Sequence, residues 1–253
     1  TIATVSLGVG DAGIPSYTFS NLPASKSQNA GNLARVTDTQ GGLWMDSGSQ
    51  WVKQGFPIIN ARDAPFNATG DGTTNDLTAL QAAVDALPTG KGTVYIPAGT
   101  YNLGAGASGL IVQGSGITII GDSAGSGNAG TTLLYTGAGA ALGINPQTSG
   151  AATTDRFKIA DIKISGSSSG AIGILLGNTA GAVKSANGEL HNVYVTGFGT
   201  AGFRFVAGQI VSLFNCVAQG NTGADGFHFA SGAQNTIVNF FGGRSVSNQV
   251  GAQ

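Results

Sequence analysis

Short alternating runs dominate the chain after residue 104. Ile162-Lys163-Ile164, Val193-Tyr194-Val195 and Cys216-Val217-Ala218 each carry an apolar side chain at every second position, the period of a strand with one buried face. Each run follows an Asp or Asn: Asp161, Asn192 and Asn215. Across a glycine-rich corner comes a second alternating run, with Ile172 and Ile174, Phe203 and Phe205, or Phe227 and Phe229. Aligning Ile162, Val193 and Cys216 gives spacings of 31 and 23 residues; aligning Ile172, Phe203 and Phe227 gives 31 and 24. Two strands per copy therefore report one period. The extra length of the first copy falls in the loop NTAGAVKSANG (178–188), and NFFGGRSVSNQVGAQ (239–253) begins a fourth copy. Such a repeat predicts a β-solenoid whose stacked coils share one core. Alternation turns Lys163, Tyr194 and Val217 outward on one face and Gly173, Arg204 and His228 outward on another. It also makes Cys216 a buried, small apolar residue.

One segment has a helical period instead. Leu77, Leu80, Val84 and Leu87 form a single stripe, with Thr78, Gln81 and Asp85 on the opposite side. Thr74 or Asn75 can cap the helix, Asp76 suits its first turn, and Pro88 stops it. A helix of about three turns is marginal alone. It is predicted to lie as a lid over the open end of the first coil, ahead of the strand TVYIP, which breaks at Pro97 and restarts. Residues 1–55 are turn-rich and read as a small β module, with turns at TQGG (39–42) and DSGS (46–49) and with Trp44 and Trp51 in its core. The expected organisation is thus a module at 1–55, a cap helix and first coil at 56–103, and solenoid coils at 104–253. The last copy breaks off at NQVGAQ without a capping pattern, so the coils are expected to continue beyond Gln253.

Composition narrows the picture. Glycine is 43 of 253 residues and only 9% are charged, against a usual charged share of about 25%. Glu189 is the single glutamate, which argues against helical surfaces, and 41% apolar content argues against disorder. A net charge of −1 leaves no footprint for nucleic acid, and no apolar run approaches the ~20 residues of a membrane helix. One cysteine excludes an internal disulfide, and the N-terminus shows no signal-peptide pattern.

The segment 63–103, DAPFNATGDGTTNDLTALQAAVDAL followed by GTVYIPAGTYNL, resembles the entry motif of the pectate-lyase-like β-helix superfamily. Gly70-Asp71-Gly72, Thr73, Asp76, Ala79, Gln81, Ala82, Pro97, Gly99 and Tyr101 carry the likeness. It implies an all-β, right-handed parallel β-helix capped by one short N-terminal α-helix, here preceded by a small β adapter module. Residues 21–52 are similar to the adapter segments that precede β-helices in bacteriophage tailspikes and tail fibres. That resemblance implies a homotrimer on the virion, extracellular on release. It would dock to phage tail or baseplate proteins through residues 1–55 and bind, or depolymerise, a host capsular or lipopolysaccharide glycan. The alternatives are a secreted polysaccharide lyase or glycoside hydrolase of the same superfamily, and a non-catalytic structural spike. No nucleic-acid partner and no membrane insertion are expected.

Glycoside hydrolysis needs two carboxyls roughly 5–10 Å apart, whereas a lyase needs a base and cations near an acidic sugar. Beyond the cap the carboxylates are Asp122, Asp155, Asp161, Glu189 and Asp225. Asp161 shares a register with Asn192 and Asn215 and reads as a turn ladder. Asp225 precedes outward His228, with Arg204 expected one coil, about 4.8 Å, away. Asp225 is therefore the first catalytic candidate, with Arg204 and His228 binding substrate. Glu189, expected in or after the longest loop with His191 nearby, is the second. Outward Tyr194 and Lys163 are further binding candidates. No metal or cofactor is expected. GSGNAG (125–130) leads into a strand and not a helix N-terminus, and the Asp71, Thr73, Asn75 spacing lacks the glutamate that closes a calcium loop.

Overall fold

The computed structural model describes residues 16–36, 42–46, 49, 51–53, 58–87, 91–125, 130–145, 154–167, 171–177, 185–221, 225–230 and 237–248. The chain divides into two compact units, Thr1–Pro57 and Ile58–Gln253. In the first, Ser16–Tyr17 pairs in parallel with Leu33–Val36. The latter pairs antiparallel with Gly42–Asp46, which pairs antiparallel with Trp51–Lys53. Ser25 Oγ donates to the buried carboxylate of Asp46. The two expected turns fall mainly outside the described residues, as do the side chains of Trp44 and Trp51.

The second unit is a parallel β-helix, with three sheets running along it. The first sheet stacks Ile58–Asn60, Gly92–Ile96 and Ile117–Gly121. It continues in the leading halves of the long strands Lys158–Gly166, Ser185–Thr196, Gly208–Gln219 and Val238–Val246. The second stacks Asp71–Asn75, Gly99–Asn102, Thr131–Tyr135 and the trailing halves of the same long strands. The third stacks Leu110–Val112, Ala140–Ile144, Ile172–Leu176, Ala201–Phe205 and Asp225–Phe229. Every pairing in the three sheets is parallel, because each strand meets its equivalent one coil later. Ile162, Val193 and Cys216, with Ile164, Val195 and Ala218, are all buried as their alternation predicts. Burial pushes the Cys216 thiol up to about 11, so it is a packing residue and not a nucleophile.

Each long strand turns from the first sheet to the second at one left-handed residue: Asp161, Asn192 and Asn215 at φ 57°, 50° and 52°, and then Gly242 at 70°. Asp, Asn and Gly are the residues that tolerate this conformation. Asn192 Nδ2 donates to Asp161 Oδ1 at 2.9 Å, the rung of the expected ladder between these two coils. A second left-handed column holds Arg156, Asn187 and Ile210 at φ 55°, 49° and 55°. Ile210 is β-branched, a poor occupant of that region, and its side chain is 48% exposed. Ile210→Asn is therefore expected to stabilise the protein by about 1 kcal/mol, read as a raised denaturation midpoint.

Leu77–Asp85 is the one α-helix among the described residues, and it buries Leu80, Ala83 and Val84 against the core. Asn75 Oδ1 accepts the Leu77 amide at 3.1 Å. Asp76 does something other than cap: its buried carboxylate accepts the Thr69 and Gly70 amides at 2.6 and 3.0 Å, tying the preceding turn to the helix. Asp71 closes its own turn by accepting the Thr73 and Thr74 amides, which hold its carboxyl far below the usual range. Gln81 departs from the expected outward placement. Its Nε2 donates to Ile111 O at 3.0 Å while Oε1 accepts the Ile111 amide at 2.9 Å. Ile111 lies in the edge strand of the third sheet, so the side-chain amide occupies the place of a neighbouring strand. Gln81→Ala strips both partners and should cost about 1–3 kcal/mol in a denaturant titration.

The third sheet also corrects the sequence alignment. Ile172 pairs with Ala201, and Ile174 with Phe203, two residues from the expected register. Phe203 pairs with Phe227 as expected. In a strictly alternating strand a shift of two is silent, so alternation alone cannot detect it. Here Ile172, expected inward, lies instead with Leu175 and Ala201 in a cluster separate from the core.

Candidate functional site

Along the third sheet the alternation itself breaks. Ile174, Phe203 and Phe227 point into the core, yet so do the glycines before them. A Cβ on Gly202 would lie 3.3 Å from Ala218 Cβ, and one on Gly226 would lie 3.1 Å from the same atom. One on Gly173 would strike Val195 and stand 3.1 Å from Phe198. Two consecutive inward residues displace the pattern, as in a bulge, so residues three apart come to share the outer face. Gly173 therefore faces inward, contrary to expectation, and the outward neighbour of Arg204 in the preceding coil is Leu175.

The break brings Asp225 and His228 together. His228 Nδ1 lies 2.7 Å from Asp225 Oδ2, with the two side chains 36% and 22% exposed. A carboxylate accepts only, so this bond assigns a proton to Nδ1, and in the neutral ring Nε2 then carries the lone pair. Arg204 stands beside His228 in the register of adjacent strands. Its Nε is buried without a hydrogen-bond partner. Towards earlier coils the outer face becomes apolar, with Ile172, Leu175, Ala201 and Val206 forming a cluster separate from the core. A carboxylate–imidazole pair thus stands at the end of a nonpolar strip, with an arginine in register on the adjacent strand, a combination suited to holding an acid group and moving a nearby proton.

The other candidates stand elsewhere. Glu189 lies on the outer face of the first sheet, in the strand Ser185–Thr196 that follows the position expected for the longest loop. It is 3.8 Å from Lys158 Nζ and 3.0 Å from His191 Nε2, and the His191 ring stacks on Phe214 at 4.4 Å. Asp225 and Glu189 are on different sheets and do not form a carboxylate pair. Lys163 and Tyr194 are neighbours on the second sheet, the Lys163 ammonium 5.8 Å from the Tyr194 ring centre and the Tyr194 hydroxyl donating to Gln219 Oε1 at 2.9 Å. Val217 and then Arg244 follow in the same outward column. Among the described residues no three His, Cys, Asp or Glu side chains converge on one point. What the residue pattern could have shown is the glycine repeated at one register, before Ile174, Phe203 and Phe227.

The family described as rhamnogalacturonase A/epimerase, pectate lyase-like, matches residues 58–250, nearly all of the second unit. The chain belongs to this family. Among curated relatives of this pectate-lyase-like protein, alginate lyase 7 of Azotobacter vinelandii is 35% identical over 140 residues, covering 54% of this chain and 16% of that one. Mannuronan C5-epimerase AlgE3 of the same organism is 31% identical over 194 residues, 75% of this chain and 10% of that one. The chain thus spans a sixth or less of the length of these two relatives. Among solved structures, the Agl-KA catalytic domain superposes with a TM-score of 0.52 at 16% identity, over 81% of this chain and 40% of that one. ORF18 of Geobacillus virus E2 covers 92% of this chain and 54% of its own, at 15% identity and a TM-score of 0.49.

Proposed function

We propose that this β-helix acts on an acidic polysaccharide of the polymannuronate type, with Asp225, His228 and Arg204 as its reaction centre. The observation that carries the reading is the Asp225–His228 bond beside the unsatisfied Arg204 Nε. Relatives named for alginate lyase and mannuronan epimerase chemistry support it. Both reactions begin by removing the proton α to a uronate carboxylate. His228 Nε2 accepts that proton from C5, and the C–H electron pair moves into the carboxylate. The growing negative charge is held by Arg204, while Asp225 stabilises the imidazolium through Nδ1–H. In elimination, the C4–O4 bond then breaks, the leaving oxygen takes up a proton, and an unsaturated sugar end remains. In epimerisation a proton returns to C5 from the other side. The right-handed winding of the coils is carried over from the superfamily resemblance.

Lys163 and Tyr194, with Arg244 two coils beyond Tyr194, serve in this reading as a flanking contact surface for the polyanion. Lys163→Gln combined with Arg244→Gln is expected to weaken polymannuronate binding and flatten its salt dependence while leaving turnover at saturation unchanged. Calorimetry at two salt concentrations checks this. The reading as a whole is tested by incubating the chain with polymannuronate and following the ultraviolet absorbance of unsaturated ends and the proton spectrum of epimerised residues. Product from polymannuronate and none from a neutral glucan is the expected result. Binding without any product would leave a recognition module.

That outcome would favour a second reading, supported by the separate compact unit ahead of the β-helix. In it the protein is a phage tailspike or tail-fibre homotrimer. Residues 1–55 dock to tail or baseplate proteins, and the β-helix binds a host capsular or lipopolysaccharide glycan outside the cell. Sedimentation at the mass of a trimer is its expected signature, and a monomer at micromolar concentration would exclude it.

A further inference from the structure

Behind the third sheet a column of asparagines fills the room that the glycines leave. Asn221 is fully buried, and its Oδ1 accepts the Phe198 amide at 3.0 Å. Its own amide and its Nδ2 both donate to Asn248 Oδ1, at 3.0 and 2.9 Å. Asn248 Nδ2 donates in turn to Ala218 O at 2.9 Å and to Ser245 Oγ at 2.7 Å. A Cβ on Gly202 would stand 2.9 Å from Asn221 Nδ2, and one on Gly226 would stand 2.7 Å from Asn248 Nδ2. Each asparagine is therefore packed directly against the back of one glycine. Gly226 is the residue at which the strand ceases to alternate, and it lies between Asp225 and His228.

We infer that Asn248, held by Asn221, is a positioning residue for the Asp225–His228 pair, acting through Gly226. The coil carrying Ile172 and Leu175 supports the distinction between filling space and fixing position. There the place behind Gly173 is taken by Val195 and the Phe198 ring, and the outward residues carry no chemistry. Behind Gly202 and Gly226 stand amides fixed by hydrogen bonds, whose positions are set by direction as well as by volume. A side chain of equal bulk without those bonds fills the same space and lets the strand slide. The 2.7 Å contact between His228 and Asp225 tolerates little sliding. The inference rests on the uronate reading for its catalytic consequence, but its geometric content needs no substrate.

The test uses the whole chain labelled with ¹⁵N at histidine. In the parent protein the neutral His228 ring should carry its proton on Nδ1 and not on Nε2. Asn248→Leu, which keeps the bulk and loses the bonds, is expected to abolish that pattern in favour of mixed tautomers. On polymannuronate its kcat should fall on the order of 100-fold, with KM within about twofold of the parent. Asn248→Asp keeps the oxygen that faces Asn221 and is expected to restore part of the Nδ1–H signal. A folded Asn248→Leu chain with the parent's tautomer pattern overturns the inference. Should that variant fail to fold, Asn248→Ala, which removes the whole side-chain amide and its bonds, carries the same comparison with the same two outcomes. A parent chain with the expected histidine spectrum but no action on polymannuronate sinks the uronate reading and leaves the positioning inference standing.

Discussion

His228→Ala is expected to reduce the release of unsaturated or epimerised uronate by about 100- to 10,000-fold, the range for loss of a positioned general base. The fold should survive, because the His228 side chain lies on the outer face, partly exposed, and bonds to Asp225 and not to the core. Asp225→Asn keeps the shape of the pair but allows the ring to turn its lone pair towards the new amide. It should lose activity without losing structure. Arg204→Gln leaves a neutral side chain where a cation faced the developing charge, and it should lower kcat more than it raises KM. Glu189→Gln, paired with Lys158 and His191 on another sheet, should leave the rate within about twofold of the parent. Initial rates on polymannuronate, with circular dichroism of each variant, check the set. An active His228→Ala chain would remove this cluster from the chemistry.

Phe203→Ala is expected to be the most damaging single truncation in the β-helix, at about 3–5 kcal/mol. Phe203 is fully buried in the third sheet, and its ring stacks on Phe227 with centroids 4.8 Å apart and planes 12° from parallel. The next inward column repeats the arrangement with Phe205 and Phe229 at 4.9 Å. Truncation removes the transferred ring, opens a cavity between coils and forfeits the stacking contribution of about 0.5–1.5 kcal/mol. In a solenoid each coil is supported by its neighbours, so the loss is not confined to one strand. A denaturant titration should show the midpoint falling with little change in slope. A loss below about 1 kcal/mol would mean that the coils can close over the gap.

Several elements were legible along the chain because they rest on local chemistry. Ile162, Val193 and Cys216 alternate with outward residues whatever lies next to them. Asp161, Asn192 and Asn215 occupy left-handed corners because few other side chains can. The apolar stripe from Leu80 to Leu87 needed a surface, and the open end of the first coil provides one. Less visible were the contacts whose two ends are far apart in sequence. Gln81 looks like a solvent residue until Ile111 of the edge strand is placed beside it. Glu189 could stand in the loop or after it until Ser185–Thr196 is seen as one bent strand. The register of Ile172 was missed because alternation was taken to run unbroken through Gly173, where two consecutive residues turn inward.

The period of the repeat, the inward face of the long strands, the corner residues and the lid were therefore set by residue order, since each depends on neighbours within one coil. The site was set by the stacking of coils. Asp225 and His228 lie three residues apart, which in a regular strand would send them to opposite sides. They meet because Gly226 turns inward against Asn248, a residue of the following coil, and Arg204 joins them from the coil before. Only when coils are superposed do these three residues become one group, because the forces that align them act across strands and not along them.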